Sequence, residues 1–228
     1  MSRTLFYAGN ILLRALHAVT EPQLFAMLDP GNMRIFVALD LDEEIRKRIQ
    51  LFVDEVRDFA PSARWITPES LHITLKFIGE KPEPLVKQID GALGHLAVPP
   101  FRVTFSGTGF FPTPRAARVF WVGIETESGL AELAHKIEDS LVQLGIPKEQ
   151  RAFSPHLTLA RASGDSGTPG WRKGDKPNRR FASLQQRVEH SPPPNFGTMT
   201  AQEFFLYRSQ LSPKGSRYTK IAHYRLIG

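Results

Sequence analysis

The 228-residue chain contains no cysteine. This excludes a disulfide framework, a thiolate nucleophile, a zinc ribbon and a thiol-ligated cluster at once, and it fits a reducing compartment. Long apolar runs are missing too. No window approaches about eighteen uninterrupted apolar residues, so no spanning helix is expected. Residues 1–32 lack the clean apolar run and small-residue cleavage site of a secretory signal, and Arg3 and Arg14 are too few arginines for a transit peptide. Acidic residues are in deficit: 23 against 29 basic ones give a net charge of +6. That excess suits an anionic partner such as RNA or a phosphate ester, although a soluble basic protein with no such partner can carry the same balance. With 41% hydrophobic and 23% charged residues, the chain has ordinary globular composition. Its length can bury roughly 70% of the unfolded surface without help from a metal or a disulfide.

Residues 1–32 read as an extension, or as a start placed too early, because Pro30-Gly31 breaks local structure just before the strand-like run Met33–Leu39. A single domain is expected over 33–228. Asp40 and Glu43 stand at capping-box spacing, and Ile45, Ile49, Phe52, Val53 and Val56 then repeat at helical period up to Pro61. Leu71–Ile78 reads as a strand, and Leu85, Ile89, Leu93 and Leu96 as a helix weakened by Gly91 and Gly94. Phe101–Phe105 reads as a strand, followed by a turn region at Gly107, Gly109 and Pro112. Val119–Ile124, the helix Leu130–Leu144 closed by Gly145, and His156–Ala160 follow. Residues 162–180 form a polar insert in which Arg172, Lys173, Lys176, Arg179 and Arg180 outnumber Asp165 and Asp175. A short helix over Phe181–Val188 and strands over Glu203–Tyr207 and Tyr218–Leu226 complete the chain.

Two stretches repeat. Val37-Ala38-Leu39 resembles Val122-Gly123-Ile124, with 35 residues from Val37 to His72 and 34 from Val122 to His156. Each stretch runs strand, helix, strand, and the last strand opens with His-x-Thr-x: His72-Ile73-Thr74-Leu75 and His156-Leu157-Thr158-Leu159. Two copies of one unit suggest two lobes related by a pseudo-twofold. Alternation on a strand sends His72 and Thr74 to one face and Ile73, Leu75 and Phe77 to the other, and the second copy does the same. If the lobes face each other, two imidazole–hydroxyl pairs meet across a cleft. One imidazole can then take a proton from water while the other protonates a leaving oxygen, since histidine titrates near neutrality. The threonine hydroxyls can bond non-bridging phosphate oxygens. Neither tetrad holds a carboxylate, so metal ligation is not the natural reading. His17, His95, His135, His190 and His223 fall in no repeated pattern and read as surface or core residues.

Trp65-Ile66-Thr67-Pro68-Glu69-Ser70-Leu71-His72-Ile73-Thr74-Leu75-Lys76-Phe77-Ile78-Gly79-Glu80 resembles the first signature of the two-histidine (2H) phosphoesterases, in their 2'-5' RNA ligase branch. Phe153-Ser154-Pro155-His156-Leu157-Thr158-Leu159-Ala160-Arg161 resembles the second. Met33–Leu39 is similar to the family's opening strand, and Ser209–Tyr218 to its closing strand pair. The resemblance implies a bilobal α+β fold of two pseudo-symmetric lobes, each with an antiparallel sheet and helices. It also implies ATP-independent and metal-independent chemistry, with no cofactor, that opens RNA 2',3'-cyclic phosphates to 2'-phosphomonoesters. Some members join 2'-5' linkages in the reverse sense. By the same resemblance His72 is the proton donor, His156 the proton acceptor, and Thr74 and Thr158 the phosphate-side threonines.

Arg161 is a further phosphate candidate, at the end of the second tetrad strand. Phe110, Phe111 and Phe153 could stack a base, with core packing as the ordinary alternative. The basic insert at 162–180 reads either as a solvated loop or as a contact for RNA backbone. The expected protein is a cytoplasmic monomer acting on RNA with 2',3'-cyclic phosphate or 2'-5' linked ends. The alternatives are a non-catalytic binder of RNA phosphate ends and a phosphodiesterase for a small cyclic nucleotide.

Overall fold

A computed structural model describes residues 31–162, 179–212 and 215–228, without the side chains of 211–215. The expectations for residues 1–30, and for most of the basic insert (163–178), lie outside the described residues. In chain order the elements are β1 (Asn32–Leu39), α1 (Glu43–Val56), β2 (Arg64–Trp65), β3 (Ile73–Pro82), α2 (Glu83–Gly94), β4 (Phe101–Phe111), β5 (Val119–Thr126), α3 (Gly129–Val142), β6 (His156–Arg161), α4 (Ala182–Glu189), β7 (Asn195–Ala201), β8 (Glu203–Ser212) and β9 (Gly215–Arg225).

The fold is α+β, and every strand ladder described is antiparallel. The strand order is β7-β4-β5-β6-β3-β1-β8-β9, with β2 added against β6. It divides into two four-strand arms, β3-β1-β8-β9 and β6-β5-β4-β7, joined between β3 and β6 by one residue pair, Ile73 with Leu157. The sequence repeat is thus real at the level of topology. In each copy the first strand pairs with the tetrad strand, β1 with β3 and β5 with β6. The helix between them reaches across to the other arm: α1 packs on β7, and α3 packs on β3 of the other arm as well as on β4 of its own. These crossovers bury Ile45, Ile49, Val53 and Val56 of α1 and Leu130, Leu133, Ile137 and Leu141 of α3 in one core that spans both arms. The apolar faces of the helices are therefore what hold the halves together.

Several local expectations are corrected. The N-cap of α1 is Asp42, whose carboxylate accepts from the Ile45 amide at 2.8 Å; Asp40 is engaged elsewhere. Gly107 and Gly109 do not end β4. Gly107 sits at φ +63 where the register with β5 slips, and the strand runs on to Phe111. At Gly109 an added Cβ would lie 2.3 Å from the Trp121 ring, so the glycine is there for close packing. The edge strand β7, in Asn195–Ala201 beyond the triple proline, carries no strong apolar alternation and escaped the sequence pattern. Gly145 does close α3, at φ +75.

Candidate active site

The single pair that joins the arms builds the site. Ile73 and Leu157 lie opposite each other and are fully buried. Alternation then turns their neighbours, His72, Thr74, His156 and Thr158, to the other face of the sheet. Continued antiparallel register sets His72 across from Thr158 and Thr74 across from His156. The two tetrads thus meet at the one Ile73–Leu157 pair.

Both imidazoles are tethered in the same way. The Nδ1 of His72 lies 2.7 Å from the Ser70 carbonyl, and that of His156 lies 2.8 Å from the Ser154 carbonyl. A carbonyl only accepts, so Nδ1 carries the proton in both rings and Nε2 is left for chemistry. The tether is main chain, two residues before each histidine. The matching Ser-x-His spelling in the sequence marks it, although the serine side chains are not what acts.

The surroundings differ. His72 is enclosed by Phe36 at 4.8 Å, by the edge of Tyr218 at 5.1 Å and by Tyr207 at 6.1 Å between ring centroids. Behind this cage Asp40 gathers donors from the Leu41 amide at 2.9 Å, Arg46 at 2.6 Å, Lys220 at 2.6 Å and the Tyr207 hydroxyl. Burial alone would raise the Asp40 carboxyl, but hydrogen bonds from Lys220, Leu41 and Arg46 together hold it below its ordinary value. Arg46 also donates to the Pro68 carbonyl, in the 3₁₀ turn Pro68–Ser70 that supplies the His72 tether. His156 meets one ring edge, Phe111, at 4.9 Å, and Phe111 stacks on Trp121.

Desolvation pushes both imidazoles down. His72 falls to about 4, with Arg161 and His156 adding to the depression and the Ser70 carbonyl and Asp40 opposing it. His156 is lowered by the same desolvation, with help from Arg161. The charge of Arg161 therefore reaches both rings.

Arg161 arrives there by a bulge that simple alternation does not foresee. Between Thr158 and Ala160 the register with β5 slips at Leu159, so Ala160 opposes buried Phe120 and Arg161 opposes Val119. The slip carries Arg161 to the face of His156 and Thr158. The first copy slips at the equivalent residue, Leu75, between Thr74 and Lys76. This corrects the expected placement of Phe77. It lies on the site face with 53% of its surface exposed, opposite Phe36 and with the Arg34 guanidinium 4.9 Å from its ring centre. Lys76 turns to the core instead and donates to both Glu138 oxygens, at 2.8 and 2.7 Å, and to the Pro147 carbonyl at 2.8 Å.

Of the three phenylalanines considered for stacking, Phe110 packs on Phe120 and Phe181. Phe111 walls His156, and Phe153 is partly exposed. His95, His135, His190 and His223 are exposed, the first three with local partners within their own helices or at the helix ends. Phe36, Asp40, Arg46, Tyr207 and Tyr218 are site residues that the sequence does not foresee. They come from separate strands and a helix end, and no spacing in the sequence links them.

Two histidines fixed through Nδ1, two threonines and an arginine thus share one face of the sheet. Residues 39–121 match the family described as LigT like Phosphoesterase. The RNA 2',3'-cyclic phosphodiesterase of Archaeoglobus fulgidus is 32% identical over 186 residues, 82% of this chain and 96% of that protein. The crystal structure of TT0787 of Thermus thermophilus superposes with a TM-score of 0.68 at 32% identity, covering 86% of this chain and 99% of that one. Escherichia coli LigT complexed with 3'-AMP gives 0.67 at 28% identity over the same shares, 86% and 99%. The chain belongs to the LigT-like phosphoesterase family. Among the described residues no helix is long and apolar enough to cross a membrane.

Proposed function

We propose that this protein is an RNA 2',3'-cyclic phosphodiesterase, hydrolysing cyclic phosphate ends to 2'-phosphomonoesters. Its relatives carry that name over most of the chain. The observation that carries the reading is the Ile73–Leu157 junction, which presents two Nδ1-tethered histidines on one face. The Nε2 of His156 takes a proton from water as the water oxygen bonds to phosphorus. The P–O3' bond breaks, and Nε2–H of His72 delivers a proton to O3'. The 2' ester remains. Thr74, Thr158 and Arg161 hold the non-bridging oxygens, so that the donors are in place before charge builds on them.

In the free protein burial drives His72 towards its neutral form, which by itself suits a base better than an acid. The bound phosphate anion favours the imidazolium beside it, so the donor is charged in the complex. A 5'-hydroxyl in place of water gives a 2'-5' linkage by the same steps. No ATP is required for this, because the strained cyclic ester is already activated. The protein is taken to work in the cytoplasm as a monomer.

The test is a short oligonucleotide ending in 2',3'-cyclic phosphate, incubated with EDTA and without ATP. A 2'-phosphomonoester is expected. Absence of turnover would remove the reading, and a 3'-phosphomonoester product would reverse which oxygen leaves.

A further inference from the structure

A cavity of about 760 Å³ opens beside the His72 cage, between the N-terminal half of α1 and the outer strand β9, and Tyr207 and Tyr218 form the wall that it shares with that cage. Tyr218 also lies close enough to Arg161 for the two to interact electrostatically. The path from the site face into the cavity therefore runs past the tyrosines.

We infer that this cavity is a subsite for the nucleotide on the 5' side of the cyclic end, with Lys47 and Arg217 gripping the phosphodiester that joins it to the terminal nucleotide. The inference rests on the reading given under Proposed function. In an in-line displacement the attacking water and the leaving O3' lie on opposite sides of phosphorus. Water is on the His156 side, so the ribose that owns O3' is on the His72 side. The rest of the RNA leaves from that ribose, and the cavity is what the His72 side offers it.

The chemistry of the walls fits one phosphodiester and not a longer polyanion. Arg46 and Lys220 also line the cavity, but both are committed to Asp40, at 2.6 Å each. Lys47 and Arg217 are exposed and form no ion pair among the described residues. Glu43 and Glu69 reach the same cavity, Glu43 leaning towards Arg46 at 3.9 Å. With four cations against three carboxylates, the excess is a single positive charge. The volume lies within the range of about 300–1,000 Å³ usual for small-ligand sites, and two tyrosine rings provide surface for a base or ribose.

The experiment compares kcat/KM for adenosine 2',3'-cyclic phosphate with that for the dinucleotide ApA ending in 2',3'-cyclic phosphate. The native protein should prefer the dinucleotide by about tenfold, the worth of a charged hydrogen bond to phosphate. In Lys47→Ala/Arg217→Ala that ratio should fall towards one, and in Lys47→Glu/Arg217→Glu it should fall below one. With that single phosphate no longer neutralised, the salt dependence of the dinucleotide reaction should flatten by up to about 0.7 in log–log slope, the value for single strands. Both residues are exposed, so neither variant threatens folding. Equal use of both substrates by the native protein overturns the subsite, as does an unchanged ratio in the variants. Failure to hydrolyse either substrate removes the reading beneath it, and the subsite falls with that reading.

Discussion

His72 stands in a cage of three rings backed by Asp40 and Arg46, whereas among the described residues His156 meets one ring edge and no carboxylate is among the charges that act on it. Their backbone settings are nevertheless the same: each opens a tetrad, each is tethered through Nδ1 to a carbonyl two residues back, and each is followed by a bulge at the tetrad's last leucine. The repeated part of the sequence supplies position and tautomer. The unrepeated part, from β8, β9 and the start of α1, supplies the environment. The acid and base roles proposed for the pair require protonation states that differ, and the unlike surroundings provide the means.

The largest effect should come from removing either half of the pair. His72→Ala and His156→Ala should each reduce turnover of a cyclic-phosphate oligonucleotide by about 10²–10⁴-fold, with RNA binding retained in a fluorescence anisotropy assay. The double variant should be little worse than the poorer single one, because the two groups act in one step. Near-normal turnover in both single variants would end the comparison altogether.

The equivalent positions Lys76 and Ala160 differ more starkly, since both face the core and only the first is charged. Lys76 is 6% exposed and spans from β3 to α3, the helix of the other copy. Lys76→Met leaves Glu138 without its cation, and removing one partner of a buried pair costs about 3 kcal/mol or more. Denaturant unfolding should show that loss, and adding Glu138→Leu should recover part of it. An unchanged midpoint in Lys76→Met would show that α3 is held by its apolar face alone.

The protonation difference can be read directly. The folded pKa of His72 lies near 4 and that of His156 below its ordinary 6.5. The active form needs one ring charged and one neutral. The optimum of kcat/KM, which reports the free protein, should therefore fall on the acid side of pH 6.5 and drop about tenfold per unit on the alkaline limb. The kcat profile should lie higher, because the phosphate raises the imidazoles in the complex. Histidine NMR with a bound 2'-phosphomonoester should show His72 gaining the larger upward shift, and a proton settling on His156 instead would exchange the two roles. The stability consequence has a definite sign. Imidazoles with lowered folded pKa values stabilise the fold above the unfolded value of about 6.5. That contribution is lost as pH falls through the folded values.

The tetrads, their spacing and the family are legible in the sequence because they are local: two four-residue words, 84 residues apart, on strands with plain alternation. Two kinds of feature are not. One is parity after the tetrads. A bulge shifts every later side chain to the other face, and nothing in Leu75 or Leu159 announces it, so plain alternation assigns Phe77 to the core and gives Lys76 no role. The other is the cage. Phe36, Tyr207 and Tyr218 lie on β1, β8 and β9 and meet only through strand order, which one sequence does not disclose. Asp40 reads as half of a capping box because its spacing to Glu43 is right. The carboxylate is instead drawn to Arg46 and Lys220, and Asp42 caps the helix.

The smallest effect should separate the two residues that the matching bulges deliver. Phe77 and Arg161 are equivalent, each five residues beyond its histidine and each turned to the site face by the slip at the tetrad's last leucine. One is a ring and the other a charge, so they should fail differently. With Arg161 on phosphate oxygens, as proposed, Arg161→Met should lower kcat. Phe77 has no polar atom and lies beyond Phe36 from His72. It can offer only a flat apolar surface, with Arg34 held against it at 4.9 Å. Stacking of this kind contributes about 1–3 kcal/mol per base, and a ring already half covered by a guanidinium should sit at the low end. Phe77→Ala should therefore raise KM for a nucleoside 2',3'-cyclic phosphate by about fivefold and leave kcat nearly unchanged, while Phe77→Trp should keep KM close to native. A fall in kcat with constant KM in Phe77→Ala would mean that the ring supports the Phe36–His72 contact and not the substrate.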